Sequence, residues 1–410
     1  MLHDPARHEA LLPTAWDEVR ARDMIERIVR DTEAHFSPAR AWPLHPRDVE
    51  DGDDPSQPAM GLHYGACDVV WALHHLQALG AVTLARSHLD DDAQFDTLLA
   101  RNHACLKACG SENFASYLAG DTAIHMLAFG HKPTAARNDR LAALIAGNID
   151  HPARELMFGA PGTLLAALFL NQRSGDARWA MLFRGIAARL WSQLLWSPEH
   201  ACHHWTQDLF GRQTTYLDSV HGFVGNALPL IRGRHLLNAS AWAAWQACIA
   251  NTVERTVTRD GAMVNWRDLL YMPAGYAWRR LMQFCHGAPG FVVCLGDFPG
   301  NALDALLTAA GEAIWAAGPL AKGSNLCHGT GGNGYAFLKL YRRTGKALWL
   351  DRARAFAMHG MAQTEADERR YGQLRYSLWT GDLGFAIYLW DCLHGSADFP
   401  TLDVFYTKPA

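Results

Sequence analysis

One pattern of hydrophobic and polar positions returns along the chain from about residue 62 onward. Each copy has an aromatic or apolar approach, a glycine, two further residues and usually a second glycine, and then an almost uninterrupted apolar run. The first glycines of the seven copies are Gly65, Gly120, Gly159, Gly222, Gly287, Gly329 and Gly381. A single Gly-x-x-Gly means little in a chain with 35 glycines, but seven copies in the same context indicate a repeat architecture.

The segments between the motifs have a different pattern. Stretches 179–196 and 242–257 space their apolar residues as an amphipathic helix does, whereas the runs after the motifs are apolar all round, as buried helices are. Motifs roughly 40 to 65 residues apart leave room for two helices each. We therefore predict an all-α fold, an α/α toroid of about seven helix pairs with seven inner and seven outer helices.

The motif glycines are predicted to lie at the start of each inner helix, where converging backbones would leave no room for a side chain. Asp68 and Ala123 stand where the first two copies would have their second glycine. We expect those two turns to differ from the rest.

The first 60 residues are predicted to be an N-terminal helical segment followed by a loop. Apolar residues from Trp16 to Val29 recur at helical spacing, which predicts a helix or helix pair. Residues 37–58 are rich in Pro and Asp, which predicts an irregular crossing loop or a lid. Residues 61–410 are then expected to form a single toroidal domain.

Composition is that of a core-forming globular chain, with 49% hydrophobic and 19% charged residues among 410. A net charge of -4 with dispersed Lys and Arg offers no basic stripe for nucleic acid or for a membrane surface. No secretory signal is visible, and no apolar run approaches the about 18 residues that cross a bilayer. Nine scattered cysteines, an odd number, predict reduced thiols and a cytoplasmic location.

Two of the seven motifs place a thiol and an imidazole before the glycine, at 285–287 and 327–329. If these motifs begin neighbouring inner helices, Cys285, Cys327 and His328 would meet at one end of the ring. Two thiolates and an imidazole are ligands that zinc prefers, and three protein ligands leave one position open for a substrate. One Cys-His-Gly alone would be uninformative, because Cys is often buried for packing. Two copies in repeat register favour a zinc site.

Further candidate residues surround these motifs. His221 occupies the same pre-glycine position as His286 and His328, so we predict that it faces the same mouth and acts as a general acid or base. His286 is predicted to lie beside the metal or to face the substrate. Arg280 and Lys322, just upstream of the two Cys-His motifs, are candidates for binding a substrate carboxylate, although solvated loop charges have the same pattern.

Other reaction templates fit poorly. The chain has no Gly-Lys-Ser phosphate loop, no Gly-x-Ser-x-Gly elbow and no His-Glu-x-x-His zinc helix. A glycosidase would need a pair of catalytic carboxylates. The acids close to the motifs are limited to Asp121, Glu155, Asp218 and Asp382.

These motifs resemble those of the lanthionine synthetase C-like proteins, and they are closer to the glutathione-associated branch than to the lantibiotic cyclases. The matching stretches extend over about residues 62–399. They are ELMFGAPGTLLAALFL at 155–170, VHGFVG at 220–225, FCHGAPG at 284–290, GSNLCHGTGGNGYAFLKLY at 323–341 and SLWTGDLGFAIYL at 377–389. The two Cys-His-Gly motifs with their flanks are the most specific of these.

The resemblance implies a toroid of fourteen helices with a zinc ion held by Cys285, Cys327 and His328. It also implies that His221 corresponds to the acid/base histidine of the family.

Several positions separate the branches of the family. Glu155 lies near the place where the cyclases have an Asp, and His286 stands where they often have a Tyr. Lys322 falls where the glutathione-associated branch has a lysine linked to glutathione handling. Thr380 departs from the Glu that is typical of that branch.

The implied activity is zinc-dependent formation of a thioether. A thiol, expected to be glutathione, would add to dehydroalanine or dehydrobutyrine in a peptide or protein. Three alternatives stay open: a lanthipeptide cyclase that acts on one precursor peptide, a prenyltransferase-like enzyme, and a non-catalytic zinc-containing scaffold that binds glutathione or a partner protein. The usual carboxylate-containing ligand set of prenyltransferases differs from Cys, Cys, His.

Overall fold

The computed structural model describes residues 1–38, 40–49, 60–88, 92–108, 110–111 and 113–407. In chain order the α-helices of these residues are α1 (Glu18–Ala34), α2 (Ala66–Ala78), α3 (Asp92–Ala108), α4 (Thr122–His131), α5 (Ala135–Gly147), α6 (Ala160–Ser174), α7 (Ala177–Ser192), α8 (Phe223–Arg232), α9 (Ala239–Thr256), α10 (Ala288–Leu295), α11 (Asp304–Ala317), α12 (Thr330–Thr344), α13 (Ala347–Tyr371) and α14 (Asp382–His394). Short strands are β1 (Leu195–Ser197), β2 (Cys202–His204), β3 (Gln207–Leu209), β4 (Arg212–Thr214), β5 (Val257–Asp260) and β6 (Met263–Trp266).

The even-numbered helices form the inner ring. Each packs against the next even-numbered helix, and α14 packs against α2, which closes the ring. Residues 160–170 of α6 and 288–295 of α10 are buried throughout, because these apolar stretches have protein on every side. The inner ring is therefore the hydrophobic core of the molecule.

The odd-numbered helices form the outer layer, each packed on one or two inner helices. On α7 the buried side chains form one stripe, Trp179, Phe183, Ile186, Ala187 and Leu190, and the opposite face meets solvent. Helix α1 completes this layer by packing on α14. The predicted all-α toroid of seven helix pairs is confirmed.

Every motif glycine stands at the start of an inner helix, as predicted, but the main steric reason is different from the expected one. A Cβ at Gly332 would lie 1.9 Å from the carbonyl oxygen of Leu326, and one at Gly384 would lie 1.9 Å from that of Leu378. In both cases the obstacle is the backbone six residues earlier in the same turn. These glycines are needed first because the turn folds back onto its own helix. Convergence contributes as well, since a Cβ at Gly290 would lie 2.5 Å from Oγ of Ser219 in the neighbouring turn.

The turn before α12 shows why this fold-back is favourable. The N–H groups of Thr330, Gly331 and Gly332 donate to the carbonyls of residues 323, 324 and 325. These N–H groups belong to the first helical turn and have no partner inside the helix. The glycine-rich turn therefore satisfies the donors that a capping side chain would otherwise satisfy.

The first two copies differ, as expected. In α2 the Asp68 side chain takes the place of the second glycine, and its Oδ2 accepts a hydrogen bond from the N–H of Gly65 at 3.2 Å. Helix α4 begins after Asp121 rather than directly after Gly120.

Three antiparallel hairpins, β1–β2, β3–β4 and β5–β6, were not predicted from the sequence. Their strands are only three or four residues long. Strands this short give almost no alternation of polar and apolar positions to detect. They lie between α7 and α8 and between α9 and α10.

The N-terminal segment contains the predicted helix, α1, which buries Met24, Ile25 and Ile28 in the main core. Before α1, the chain crosses the end of the ring, where the N–H of Ala321 donates to the carbonyl of Arg7 at 3.0 Å. The division of the chain at residue 60 stays a prediction.

The predicted loop at 37–58 is described only in part, since residues 39 and 50–58 lie outside the described residues. The described part contains a short 3-10 turn, Pro46–Asp48. Asp48 accepts a hydrogen bond from Nε of Arg375 at 2.8 Å, and Arg47 pairs with Asp367. Whether the segment acts as a lid stays a prediction.

After α14 the chain returns to the interior of the ring. The ring of Phe399 stacks on that of Phe284 with centroids 4.5 Å apart. Further on, Asp403 pairs with Lys339 at 2.6 Å and with Arg232 at 2.7 Å. Within the described ranges, no helix combines the length and hydropathy needed to cross a membrane.

Candidate active site

The turns before the inner helices are bonded to one another at one end of the ring. The N–H of Cys285 donates to the carbonyl of Cys327 at 3.0 Å, and the N–H of Cys327 donates to that of Trp379 at 2.8 Å. Between the third and fourth turns, the N–H of Leu156 donates to the carbonyl of Val220 at 3.2 Å. Residues just before the motif glycines are therefore gathered at one mouth.

Cys285 and Cys327 lie side by side at this mouth. The Cys285 thiol donates a hydrogen bond to Sγ of Cys327, and this bond together with burial raises the pKa of Cys285 well above its usual range. The amide of Gln283 also donates to Sγ of Cys285 at 3.0 Å. Two adjacent sulfur atoms, that of Cys327 buried and that of Cys285 partly buried, could both be thiolates only beside a cation, because burying unpaired charge is costly.

His328 directly follows Cys327, and its N–H donates to Oδ1 of Asn325 at 3.0 Å. Burial and the positive charge of Lys322 lower the pKa of His328 to about 3. The imidazole is therefore neutral at ordinary pH, and the neutral form is the one that binds metals.

The donor chemistry of Cys285, Cys327 and His328 fits zinc, since two neighbouring thiols and a neutral imidazole are donors of the type that zinc sites use. Among the described residues, however, no three His, Cys, Asp or Glu side chains converge closely enough to form a metal-binding group. The three-ligand site stays a prediction.

His221 is held by a buried carboxylate. Its Nδ1 lies 2.9 Å from Oε2 of Glu155, whose side chain has no solvent exposure. Burial would lower the pKa of His221, but the hydrogen bond to Glu155 and that charge outweigh it and raise the pKa to about 9. Glu155 is fixed in turn by the N–H groups of Met157 and Phe158 at 2.9 and 2.6 Å.

His286 has a similar partner, although the two atoms are not aligned for a good hydrogen bond. Its Nδ1 lies 2.8 Å from Oδ2 of the buried Asp218. Burial opposes protonation of His286, but the Asp218 charge raises its pKa to about 9. Oδ1 of Asp218 accepts from the N–H groups of Val220 and His221 at 3.0 and 2.7 Å. Two imidazole–carboxylate pairs therefore stand at the mouth.

A positional signal for these carboxylates was present in the sequence and was missed. Glu155 and Asp218 each lie four residues before their motif glycine, and Gln283 and Asn325 occupy the same position in the two Cys-His motifs. These side chains contact their own turn or its neighbouring sulfur. In these four turns, a polar residue four positions before the glycine marks the part that faces the site.

His63 was also missed. It lies two residues before its motif glycine, the position that Cys285 and Cys327 occupy in their turns. Burial, with repulsion from His221, lowers the pKa of His63 to about 4. Its ring lies 5.4 Å from that of Trp379, so it borders the mouth as a neutral imidazole.

Cationic side chains gather on the side of the mouth near Lys322. Burial and repulsion from Arg7 lower the pKa of Lys322, against the opposing effect of the two sulfurs. Arg47 donates to the carbonyl of Lys322 at 2.8 Å, and Nη2 of Arg7 donates to Oε1 of Gln283 at 3.3 Å. Arg7 and Arg47 come from the N-terminal segment, which the sequence had not linked to the site.

Arg280 lies in the exposed stretch between β6 and α10, with a positive φ of 50°. No contact described for its side chain ties it to the thiol pair. Its role with substrate stays a prediction.

Similar proteins identify the family of this chain. Residues 132–404, more than half of the chain, match the family described as lanthionine synthetase C-like protein. Over 271 residues the chain is 35% identical to a protein of Danio rerio named glutathione S-transferase LANCL1, covering 61% of this chain and 62% of that protein. Over 221 residues it is 39% identical to LanC-like protein GCL1 of Arabidopsis thaliana, covering 50% of this chain and 46% of that protein. The chain thus spans about half to three-fifths of these relatives.

Among solved structures, nisin cyclase matches with a TM-score of 0.54 over 93% of this chain and 100% of that chain. The sequence identity is 14%, so this match shows the shared toroidal fold alone. The family match, together with the seven glycine turns and their gathered Cys and His residues, shows that the chain belongs to the lanthionine synthetase C-like family.

Proposed function

We propose that this protein is an enzyme that adds a thiol, glutathione, to dehydroalanine or dehydrobutyrine residues of a peptide or protein and so forms a thioether. The observation that carries the proposal is the presence, at one mouth, of the adjacent Cys285 and Cys327 thiols and the His221–Glu155 pair. One relative is named a glutathione S-transferase, which supports the choice of thiol.

Cys285, Cys327 and His328 would hold a zinc ion. When present, the zinc ion would stabilise an incoming thiol as the thiolate, which is the nucleophilic form. Gln283 would orient Cys285 through its N–H···S hydrogen bond.

His221 acts as the acid in this proposal. When sulfur bonds to the β-carbon of the acceptor, the π electron pair moves to the α-carbon, which must take up a proton. Because Nδ1 of His221 is bound to Glu155, Nε2 is the atom left to deliver that proton. The proton that the thiol loses passes to solvent, and solvent returns one proton to His221 after each addition. A pKa of about 9 keeps this imidazole charged near neutral pH.

The cationic side of the mouth suits glutathione, which has two carboxylates. Lys322 would bind one of them, with Arg7 and Arg47 close by, and Arg280 is a further candidate. His286, charged beside Asp218, would face the acceptor on the other side. These substrate contacts are part of the proposal.

The test is incubation of the purified protein with glutathione and a dehydroalanine peptide, followed by mass spectrometry. We expect the peptide to gain the mass of one glutathione with the wild-type protein, and at least a hundredfold less product with Cys327→Ala or His221→Ala. Cys248→Ala, which removes a buried thiol from outer helix α9, is the matched control and should keep activity. A folded wild-type protein that binds zinc and glutathione without forming product would favour the scaffold alternative.

A further inference from the structure

A cleft of about 540 Å³ has Phe158, the residue before the Gly159 turn, in its wall. It lies between the loop before α6 and the β3–β4 hairpin, and its lining includes His151, Ala153, Phe158, Asp208 and Phe210. Phe158 directly precedes Gly159, so it occupies the same position in its turn as His221 does in the next. The N–H of Phe158 donates to Oε1 of Glu155 at 2.6 Å, and Glu155 holds His221, so a wall residue of the cleft is bonded to the carboxylate of the proposed active site.

Phe210 lies at the tip of the β3–β4 hairpin in an unfavourable backbone conformation. It forms a two-residue turn with Gly211, and the φ angles of the pair are 55° and 80°. Turns of this kind favour Asn-Gly, since a left-handed conformation is strained for phenylalanine. The side chain is nevertheless 70% exposed. An apolar ring is thus exposed to solvent by a strained backbone conformation, and such strain is typical of functional positions.

Hydrogen bonds attach the β3–β4 hairpin to the loop before α6. The N–H of Asp208 donates to the carbonyl of Pro152 at 3.0 Å, and Nη1 of Arg154 donates to that of Thr206 at 2.9 Å. The Phe210 ring meets the Phe158 ring edge to face, with centroids 5.5 Å apart. The two rings therefore form one rigid apolar wall.

Polar side chains of the lining are already engaged. Nδ2 of Asn113 donates to the carbonyl of Phe158 at 2.9 Å, and Oδ1 of Asp208 accepts from the N–H of Gly211 at 2.8 Å. Besides the Asp208 carboxylate and the His151 imidazole, the cleft offers a ligand its aromatic surface. Its volume lies within the range of about 300 to 1,000 Å³ that ligand pockets have.

We propose that this cleft binds an apolar side chain next to the dehydroamino acid in the acceptor polypeptide. The inference rests on the proposed function, because it takes His221 to reach the α-carbon of the acceptor. A polypeptide whose α-carbon lies at His221 advances by about 3.3 to 3.6 Å per residue when extended. Its neighbouring residues then reach Phe158 and the wall formed with Phe210.

Phe210→Asn tests this with little risk to the fold, since it creates the Asn-Gly turn that the hairpin favours. Three acceptors are compared: a dehydroalanine peptide with leucine beside the dehydroalanine, the same peptide with glycine there, and N-acetyldehydroalanine amide. We expect the preference in kcat/KM for the leucine peptide over the small acceptor to fall about tenfold in the variant. Phe210→Tyr, which keeps the ring, should retain it.

Binding is measured as well, with an unreactive leucine peptide that has alanine in place of dehydroalanine. We expect its Kd to rise about tenfold in Phe210→Asn and to stay unchanged in Trp196→Asn, which removes another exposed aromatic ring on β1. Equal Kd values for wild type and Phe210→Asn would overturn the proposal whatever the activity. Tight, Phe210-dependent binding without any thioether product would instead uphold the cleft and contradict the proposed reaction.

Discussion

At the scale of single residues, the same few positions of a repeated turn carry different chemistry. The residue before the glycine is His221 in one turn and Phe158 in its neighbour, and the residue before that is a cysteine in two others. Four residues before the glycine stands a carboxylate, Glu155 or Asp218, that fixes an imidazole from the next turn. Because the backbone of the turn is repeated, changing one side chain changes the chemistry without changing the scaffold.

Glu155→Gln should alter the pH dependence of the proposed reaction through His221. The acid form of His221 is present below its pKa and lost above it, so kcat should fall as pH rises through about 9. Without the Glu155 charge, the effect of burial prevails, and the falling limb should move at least one unit lower. The measurement is kcat against pH, together with an NMR titration of His221.

Glu312→Gln provides the control for this pH shift. Glu312 lies on the outer helix α11 and pairs with Arg352 of the outer helix α13. The profile of this variant should coincide with that of the wild type. An unchanged midpoint in Glu155→Gln would contradict the role given to the His221–Glu155 pair.

Metal content is a second prediction at the residue scale. We expect about one zinc per chain in the purified protein, since three protein ligands suit a single catalytic zinc. Cys327→Ala and His328→Ala should lose most of it after dialysis, because each removes one donor. Elemental analysis checks this with Cys248→Ala as the control. Wild-type zinc content in Cys327→Ala would refute the ligand assignment.

At the scale of elements, the glycine-rich turn is what allows an inner helix to begin without a capping side chain. Asp17, Thr134, Asp176 and Asn238 cap outer helices with their side chains. The inner helix α12 instead uses the carbonyls of its own preceding turn. The side chains before the helix are therefore not required as caps, and the candidate site residues are found among them.

Gly332→Ala should therefore destabilise the protein strongly. The new Cβ would lie 1.9 Å from the carbonyl oxygen of Leu326, so the turn would have to open, at a cost of about 3 kcal/mol or more. Thermal or urea unfolding measures the change in the free energy of unfolding.

Gly185→Ala is the matched substitution, since Gly185 is exposed inside α7 and a Cβ there meets nothing within 4 Å. It should stabilise by about 0.5 to 1 kcal/mol, because alanine favours the helix more than glycine does. Similar effects of the two substitutions would show that the turn geometry is not the cause.

At the scale of the whole molecule, the ring is closed by contacts between distant parts of the chain. Helix α14 meets α2, α1 covers α14, and residues after α14 return between the inner helices. Asp403 joins this returning segment to Lys339 of α12 through an ion pair in which both side chains are 1% exposed. A charge buried to this degree depends on its partner.

Lys339→Met should cost about 3 kcal/mol of unfolding free energy, because the Asp403 carboxylate loses one of its buried cations. Arg178→Met breaks an ion pair of equal length, 2.6 Å, between Arg178 and Asp139, which are 40% and 70% exposed. That change should cost much less, because water screens an exposed ion pair. Denaturant unfolding of both variants gives the comparison, and equal costs would contradict it.

The sequence predicted much of the fold because its signals are local. Helical periodicity and the recurrent glycine turns depend on sterics within about ten residues, so both can be recognised without knowing which helices meet. The same repeat register predicted that Cys285, Cys327, His328 and His221 face one mouth. The short hairpins gave no such signal, and neither did the main reason for the second glycine, which is a contact inside the folded turn.

What the sequence by itself determined is the ring of seven helix pairs and the residues that stand before each inner helix. Only the tertiary structure decided that Glu155 holds His221, that Arg7 from the N-terminal segment reaches Gln283, and that Phe210 faces a cleft. These contacts join residues far apart in the chain. They exist because the ring closes, and closure depends on packing of the whole chain, which no local pattern contains.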